Sequence, residues 1–355
     1  MRGHDIVVVG ASAGGVEALG RLVTTLPPEL PATLFVVLHV PSGTSSALPS
    51  ILDRRGPLPA AHARHGEPIR HGRIYVAPPD SHLLISHDVV RLSRGPRENG
   101  HRPAIDPMFR SAARVHGPRA VGVVLSGALD DGTAGLLAIK AHGGTAIVQD
   151  PDEALYPSMP GSAINHVKVD HVAAVPAIAT LLRELATEPP DPPAAVPAQA
   201  RSLEAEADDF DGNLDGDLDG HAATRVPGRP SIFACPDCDG ILWEVQDGGL
   251  LRYRCYVGHA WSPESLLSHQ SEALEGALWV ALRSLQERAA LAHRVADPAR
   301  DRGHRLTAAR FDDQAREAEQ AVAVLRQLLL KRSSVAGDQP EHTENERAPD
   351  ERFEH

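Results

Sequence analysis

The chain has 355 residues, 42% hydrophobic but only 4% aromatic, so Val, Leu and Ala must fill a core large enough for two domains, or one domain with extensions. Its net charge of −12 is uneven: residues 1–185 hold 17 Lys/Arg against 16 Asp/Glu, residues 186–226 hold 2 against 10, and residues 227–355 hold 16 against 21. Lacking a basic stripe, the sequence argues against a nucleic-acid partner. Three cysteines, an odd number, argue against a disulfide scaffold. The longest strongly apolar stretches, 6–11 and 32–40, fall far short of the ~20 residues that span a bilayer, so no membrane insertion is expected. The chain enters its first apolar run at residue 6 with no leader ahead of it, which points to a cytoplasmic protein.

In chain order, 5–9 reads as a strand, 16–26 as a helix, 34–40 as a second apolar strand and 46–54 as a helix. A strand follows at 73–77, and 83–85 with 89–92 flank His87-Asp88 as a hairpin. Residues 107–116 look helical, 120–125 form a buried strand, 133–142 a helix, 145–149 a strand and 175–185 a closing helix. Continuous apolar strands alternating with helices predict an α/β fold with a doubly wound, mostly parallel sheet, here assigned to residues 1–187.

Residues 188–228 are expected to be a disordered acidic linker. They open on Pro189-Pro190-Asp191-Pro192-Pro193 and run into an Asp/Gly stretch that cannot bury a core. Within it, 211–219 imitates the start of a calcium loop, but Ala222 stands where a bidentate Glu belongs, so a solvated spacer is expected. A small zinc-ribbon-like module is placed at 229–262 and a helical hairpin at 263–332, its helices 263–296 and 300–332 separated by Pro298. Leu267, Leu274 and Ala281, with Leu278 and Leu285, repeat in steps of three and four; Leu306, Val322, Leu325 and Leu329 give the second helix an apolar side. Packing within the chain is one use of these faces, self-association or partner docking the other. The tail, 333–355, reads as disordered.

Gly10-Ala11-Ser12-Ala13-Gly14 fits Gly-x-Ser-x-Gly, the spacing of a strand-to-helix turn that lifts a nucleophilic serine clear of a sheet. Such an elbow predicts a strained backbone at Ser12. The same turn could cradle a phosphate on unpaired N–H groups, or be structural punctuation. A serine nucleophile needs a base and an orienting carboxylate. In a doubly wound sheet, functional groups gather at the carboxyl ends of the strands. That rule selects His39 after the second strand, and Asp130 or Asp131 after the strand at 120–125, as partners for Ser12.

Six motifs stand in the order seen in chemotaxis protein-glutamate methylesterases, the CheB family, which residues 3–185 resemble. They are Gly10-Ala-Ser-Ala-Gly-Gly15, Leu38-His-Val-Pro41, 74–84 (IYVAPPDSHLL), His101-Arg-Pro-Ala-Ile-Asp106, Leu125-Ser-Gly-Ala-Leu-Asp-Asp-Gly132 and Ser158-Met-Pro-Gly-Ser-Ala163. The resemblance implies hydrolysis of glutamyl methyl esters on chemoreceptors, with receptor glutamine deamidation in some members, and no catalytic cofactor. It places the nucleophile on Ser12, the base on His39, the orienting aspartate on Asp131, and backbone oxyanion donors at Ala13 and Ala128. A methylated chemoreceptor or receptor-like protein is the partner implied, and no phospho-acceptor receiver is expected ahead of the esterase. Two departures stand out: Ala13 replaces the family's usual Thr, and Ala128-Leu129 its common Met-Gly, which puts the geometry of that loop in question. Two rival readings are a catalytically silent receptor-binding scaffold and a nucleotide-binding α/β protein. Retention of Ser12, His39 and Asp131 together opposes the first. The second lacks the dinucleotide glycine at position 12 and an acidic residue ending the second strand. Arg102 and Asp106 are read as fixing a loop and a helix start.

Cys235, Cys238, Cys255 and His259 give C-x2-C-x16-C-x3-H and include every cysteine of the chain. Two close pairs joined by a hairpin, read at 241–254 around Asp247-Gly-Gly, supply the tetrahedral four-ligand set zinc prefers. The segment resembles a zinc ribbon, and similar Cys/His segments follow some stand-alone esterases of this family. A structural zinc is expected; reduced free thiols and redox chemistry are the alternatives.

Overall fold

A computed structural model describes residues 3–40, 43–190 and 228–336, which divide into two compact units between His269 and Gln270. The spacer at 211–219, most of the linker, and the tail beyond residue 336 lie outside the described residues, as do Pro41 and Ser42.

In the first unit the sheet strands are β1 (Ile6–Ala11), β2 (Thr33–Leu38), β3 (Ala60–His62), β4 (Ile74–Val76), β7 (Ala120–Val124), β8 (Thr145–Gln149) and β9 (His171–Ala173). They pair in parallel in the order β3-β4-β2-β1-β7-β8-β9, a doubly wound α/β sheet with β1 at its centre. A separate antiparallel pair, β5 (His82–Ile85) and β6 (Val90–Ser93), is the expected hairpin. The helices are α1 (Gly15–Thr25), α2 (Leu48–Arg55), α3 (Ile105–His116), α4 (Thr133–Ala141), α5 (Ser158–His166) and α6 (Val175–Leu185).

β1 shows why its apolar run is continuous. Val7, Val9 and Ala11 join the core that includes Leu19 and Leu22 of α1 and Ile178 and Leu182 of α6. Ile6 and Val8 join the opposite core, with Phe109 of α3 and Leu136 of α4. A strand covered on both faces has no polar side to show.

β3, β9 and α5 are among the elements that exceed the sequence expectation. β3 and β9 have three residues each, too few to display a period. α5 carries Pro160 and Gly161, which argue against a helix, but Pro160 sits in the first turn, where its missing N–H has no intrahelical partner to lose. The same reasoning starts α3 two residues before Pro107.

The first unit also contains an antiparallel ribbon of β10 (Arg229–Ala234), β11 (Ile241–Asp247), β12 (Leu250–Cys255) and β13 (Ala260–Trp261). Asp247 pairs with Leu250 across Gly248 and Gly249, both left-handed at φ 56° and 97°. A two-residue hairpin loop of this hand needs positive φ at both positions, hence the glycine pair.

The second unit is a helical hairpin made by α7 (Pro263–Asp301), from Gln270 onward, and α8 (Arg305–Ala336). The helix break is not at Pro298, which lies inside α7, but at Gly303. The His304 N–H donates to Ala299 O and the Gly303 N–H to Arg300 O, with Gly303 at φ 76°, the Schellman arrangement that ends a helix. The expected seam is found in part: Leu278, Leu285 and Leu325 pack against Leu282, Val322 and Leu329. Leu267, Leu274 and Leu306 are exposed, whereas Leu282, Ala289, Ala292 and Ala296 are buried, as are Ala308, Ala315, Ala318, Val322 and Leu329. Alanines let the two backbones approach, and a count of leucines alone misses that phase. Among the described residues, no helix is long and apolar enough to cross a membrane.

Candidate active site

β1 and β2 pair with Ala11 opposite Leu38, so Ser12 and His39, the next residues, leave the sheet side by side. Asp131 follows β7 on the other side of β1, in the loop before α4. The structure brings all three together. His39 Nδ1 lies 3.1 Å from Ser12 Oγ and His39 Nε2 lies 2.7 Å from Asp131 Oδ2. The Asp131 carboxylate can only accept, so Nε2 carries the ring proton and Nδ1 turns its lone pair to the serine. Burial alone would raise the pKa of Asp131, but the His39 hydrogen bond and charge outweigh it and hold this carboxyl well below the usual range. Asp131 Oδ2 also accepts from the Ile105 N–H at 2.7 Å, and Oδ1 from Asn99 Nδ2 at 3.0 Å.

Glycines make this approach feasible. A Cβ on Gly10 would stand 2.4 Å from Ile105 Cγ2, so only glycine lets the start of α3 come close enough to donate to Asp131. The elbow expectation needs correction in its detail. Among the described residues, positive φ outside glycine is confined to Asp80, Asn99, Leu129 and Asp239, so Ser12 is not in a left-handed conformation. Gly14, at φ 71°, takes the left-handed position and caps α1.

Leu129 stands at φ 62°, the conformation a glycine there would adopt without penalty, so the side-chain change leaves the loop's backbone hand available at a cost of about 1–2 kcal/mol. The N–H groups of Ala13 and Ala128 donate to no other described residue. Ala13 adjoins the serine, and Ala128 is in the loop between β7 and Asp131.

Three residues at the site carry roles the sequence reading missed. His101 stacks on His39 with ring centroids 3.7 Å apart and planes 11° apart; burial, then the neighbouring His39, pushes it down to about 3, so its ring is neutral. Asn99 bridges to Asp131 from a left-handed turn, φ 52°. Asp106, fully buried, accepts the N–H groups of Gly132 and Gly135 on one oxygen, at 3.0 and 2.7 Å, and Arg252 on the other, at 2.7 Å. Asn99-Gly100 is a turn signal and Asp106 an N-terminal helix residue, but no sequence pattern joins either to a site 25 or more residues away. Arg102 has a structural place, donating to Asp80 Oδ1 from Nε at 2.9 Å and to the carbonyls of Arg94 and Gly95.

Cys235, Cys238, Cys255 and His259 form a second cluster, their ligand atoms all within 4.8 Å of one another. Cys238 Sγ to Cys255 Sγ is 3.6 Å, and His259 Nδ1 lies 3.7 Å from Cys235 Sγ and 3.5 Å from Cys255 Sγ. A disulfide would need ~2.05 Å between sulfurs. A tetrahedron with metal–sulfur and metal–nitrogen distances of ~2.3 and ~2.05 Å has S···S and S···N edges of about 3.8 and 3.6 Å. The donor set therefore fits a tetrahedral ion and could hold a metal.

Residues 7–182 match the family model described as CheB methylesterase. The protein-glutamate methylesterase/protein-glutamine glutaminase 2 of Anaeromyxobacter dehalogenans is 40% identical over 181 residues, 51% of this chain and 53% of that protein. A putative protein-glutamate methylesterase/protein-glutamine glutaminase of Leptospira interrogans is 38% identical over 183 residues, 51% of this chain and 95% of that one. The chain thus spans about half the length of the Anaeromyxobacter relative and nearly all of the Leptospira one. The crystal structure of the Thermotoga maritima CheB methylesterase catalytic domain superposes with a TM-score of 0.50 at 34% identity, covering 51% of this chain and 98% of that domain. On this similarity and this fold, the chain belongs to the CheB methylesterase family.

Proposed function

We propose that this chain is a serine hydrolase that removes methyl groups from glutamyl methyl esters of a chemoreceptor or receptor-like protein. The observation that carries the reading is the hydrogen-bonded line Ser12 Oγ, His39 Nδ1, His39 Nε2, Asp131 Oδ2 at the carboxyl edge of the sheet. His39 takes the serine proton as Oγ attacks the ester carbonyl, and Asp131 stabilises the imidazolium that forms. The N–H groups of Ala13 and Ala128 receive the developing oxyanion, each worth about 3–4 kcal/mol when aligned. His39 returns its proton to the departing methanol, then deprotonates the water that cleaves the glutamyl-serine ester. The Anaeromyxobacter and Leptospira relatives are also named as glutamine glutaminases, and the same acyl-enzyme route would perform that deamidation with ammonia leaving.

Methanol release from methylated chemoreceptor, paired with labelling by a serine-directed fluorophosphonate, tests this. Release together with labelling supports it. Labelling at Ser12 without release from any methylated receptor would keep the hydrolase and reject the substrate; a silent scaffold would give neither.

The Cys/His cluster is proposed to hold one structural zinc, all four positions filled by protein and none open to substrate. Purified protein is expected to contain near-stoichiometric zinc, and Cys238→Ser to lose most of it, as measured by elemental analysis. Unchanged metal content in that variant would remove the cluster from the zinc account.

A further inference from the structure

The matched family segment ends at residue 182, yet the Arg252 side chain of the ribbon and the Ser262 N–H just after it reach the hydrogen bonds around Asp131. Three connections are involved. The Ser262 N–H donates to Asn99 Oδ1 at 2.9 Å, and the Asn99 N–H donates to Ala260 O at 2.7 Å. With its oxygen thus occupied, the Asn99 amide can present only its NH2 to Asp131 Oδ1. Arg252 of β12 places Nη1 on Asp106 Oδ2 at 2.7 Å and Nη2 on Glu98 Oε2 at 3.3 Å. The other oxygen of Asp106 holds the N–H of Gly132, the residue after Asp131. Ser262 and Ser265 hydroxyls donate to Asp130 Oδ1 at 2.7 and 3.0 Å, fixing the residue before it. Asp131 takes His39 Nε2 and the N–H groups of Ile105 and Asp106 directly, but its Asn99 contact and the contacts at both chain neighbours trace back to the ribbon or to the first turn after it.

The electrostatics favour the same direction of dependence. Arg252, Glu98, Asn99 and Asp106 are all less than 9% exposed. Burial alone would raise Glu98, but Arg110 and Arg252 hold it at about 2. Burial pushes Asp106 up, and Arg252 opposes that rise. A cation supplied by the ribbon thus compensates two buried carboxylates beside the site, and withdrawing it leaves them short of a partner. Arg252 and Ser262 flank the Cys255–His259 turn, which sets their spacing.

Resting on the reading of Ser12, His39 and Asp131 as a catalytic triad, we propose that Arg252 and Ser262 of the ribbon are positioning residues for that triad, acting on Asp131 through Asp106 and Asn99. They touch no reacting atom. Their effect is to hold the carboxylate where it fixes the His39 tautomer and ring.

The test uses the full chain and fluorophosphonate labelling, which reads Ser12 reactivity without a receptor. The variants are Arg252→Met, Arg252→Lys and Asn99→Gly; the last keeps the left-handed turn and deletes the bridge. Labelling by Arg252→Met and Asn99→Gly should slow on the order of 100-fold, with the half-saturating probe concentration and the metal content unchanged. Arg252→Lys should recover part of the loss, since an ammonium can still reach Asp106. Wild-type rates in Arg252→Met and Asn99→Gly overturn the proposal. If Arg252→Met loses its metal and its melting transition, Asn99→Gly and Arg252→Lys decide: a slowed Asn99→Gly supports the proposal, and wild-type rates in both overturn it. A wild-type protein that is never labelled overturns the triad reading itself and the positioning role with it; labelled wild type beside equally labelled variants overturns the positioning role alone.

Discussion

Ser12→Ala is expected to abolish methanol release from methylated receptor, with kcat down about a millionfold and the melting temperature unchanged. The size of the effect follows from the absence of a substitute. Ser126 Oγ donates to Ala13 O and accepts the Tyr156 N–H, and Ser158 Oγ donates to Gly127 O. Thr133 pairs with Ser162. Only Ser12 hydrogen-bonds to His39 Nδ1 among the described residues. The fold should survive because the bonds that shape the turn are main-chain ones: Ser12 N–H to Ser126 O and Gly15 N–H to Ser12 O. Substrate binding should survive too, so KM holds while kcat collapses, and the fluorophosphonate probe no longer attaches. Turnover at the wild-type rate in a properly folded Ser12→Ala protein would reject Ser12 as the nucleophile.

How much of this was legible in the chain differs element by element. β1 and β7 announce themselves because strands buried on both faces must be apolar throughout. The rim position of Ser12 and His39 follows from counting to the ends of two such strands. The grip on Asp131 had no comparable signal. Asn99, Asp106 and Arg252 meet only because an antiparallel ribbon some 150 residues downstream lies in the same compact unit, and long-range contacts between single polar residues leave no period to read. The sequence reading also took Pro298 as the break between the last helices, whereas left-handed Gly303 supplies it. Pro298 forfeits one i→i−4 bond to the turn before it without ending the helix, whereas left-handed Gly303 at C′ lets main-chain N–H groups reach the carbonyls that termination exposes.

The adjacent carboxylates Asp130 and Asp131 should respond very differently to the same change. Asp131→Asn is expected to lower kcat about ten-thousandfold, and Asp130→Asn by no more than a few-fold. Every hydrogen bond described at the Asp131 carboxylate comes from a donor: His39 Nε2, Asn99 Nδ2 and the N–H groups of Ile105 and Asp106. An amide in its place must turn its NH2 toward some of them. If the NH2 faces His39, the ring is driven to the tautomer with its proton on Nδ1, and no lone pair remains for Ser12. If it faces Asn99 instead, two amide donors confront each other, and Asn99 cannot flip without surrendering the Ser262 N–H. Among the described residues, Asp130 Oδ1 receives the hydroxyls of Ser262 and Ser265, and an amide oxygen can still accept both. Steady-state methanol release by the two variants, with melting curves as the control for folding, decides the matter. A greater loss in Asp130→Asn than in Asp131→Asn would move the orienting carboxylate one residue upstream and leave the His39 Nε2 contact without a catalytic part.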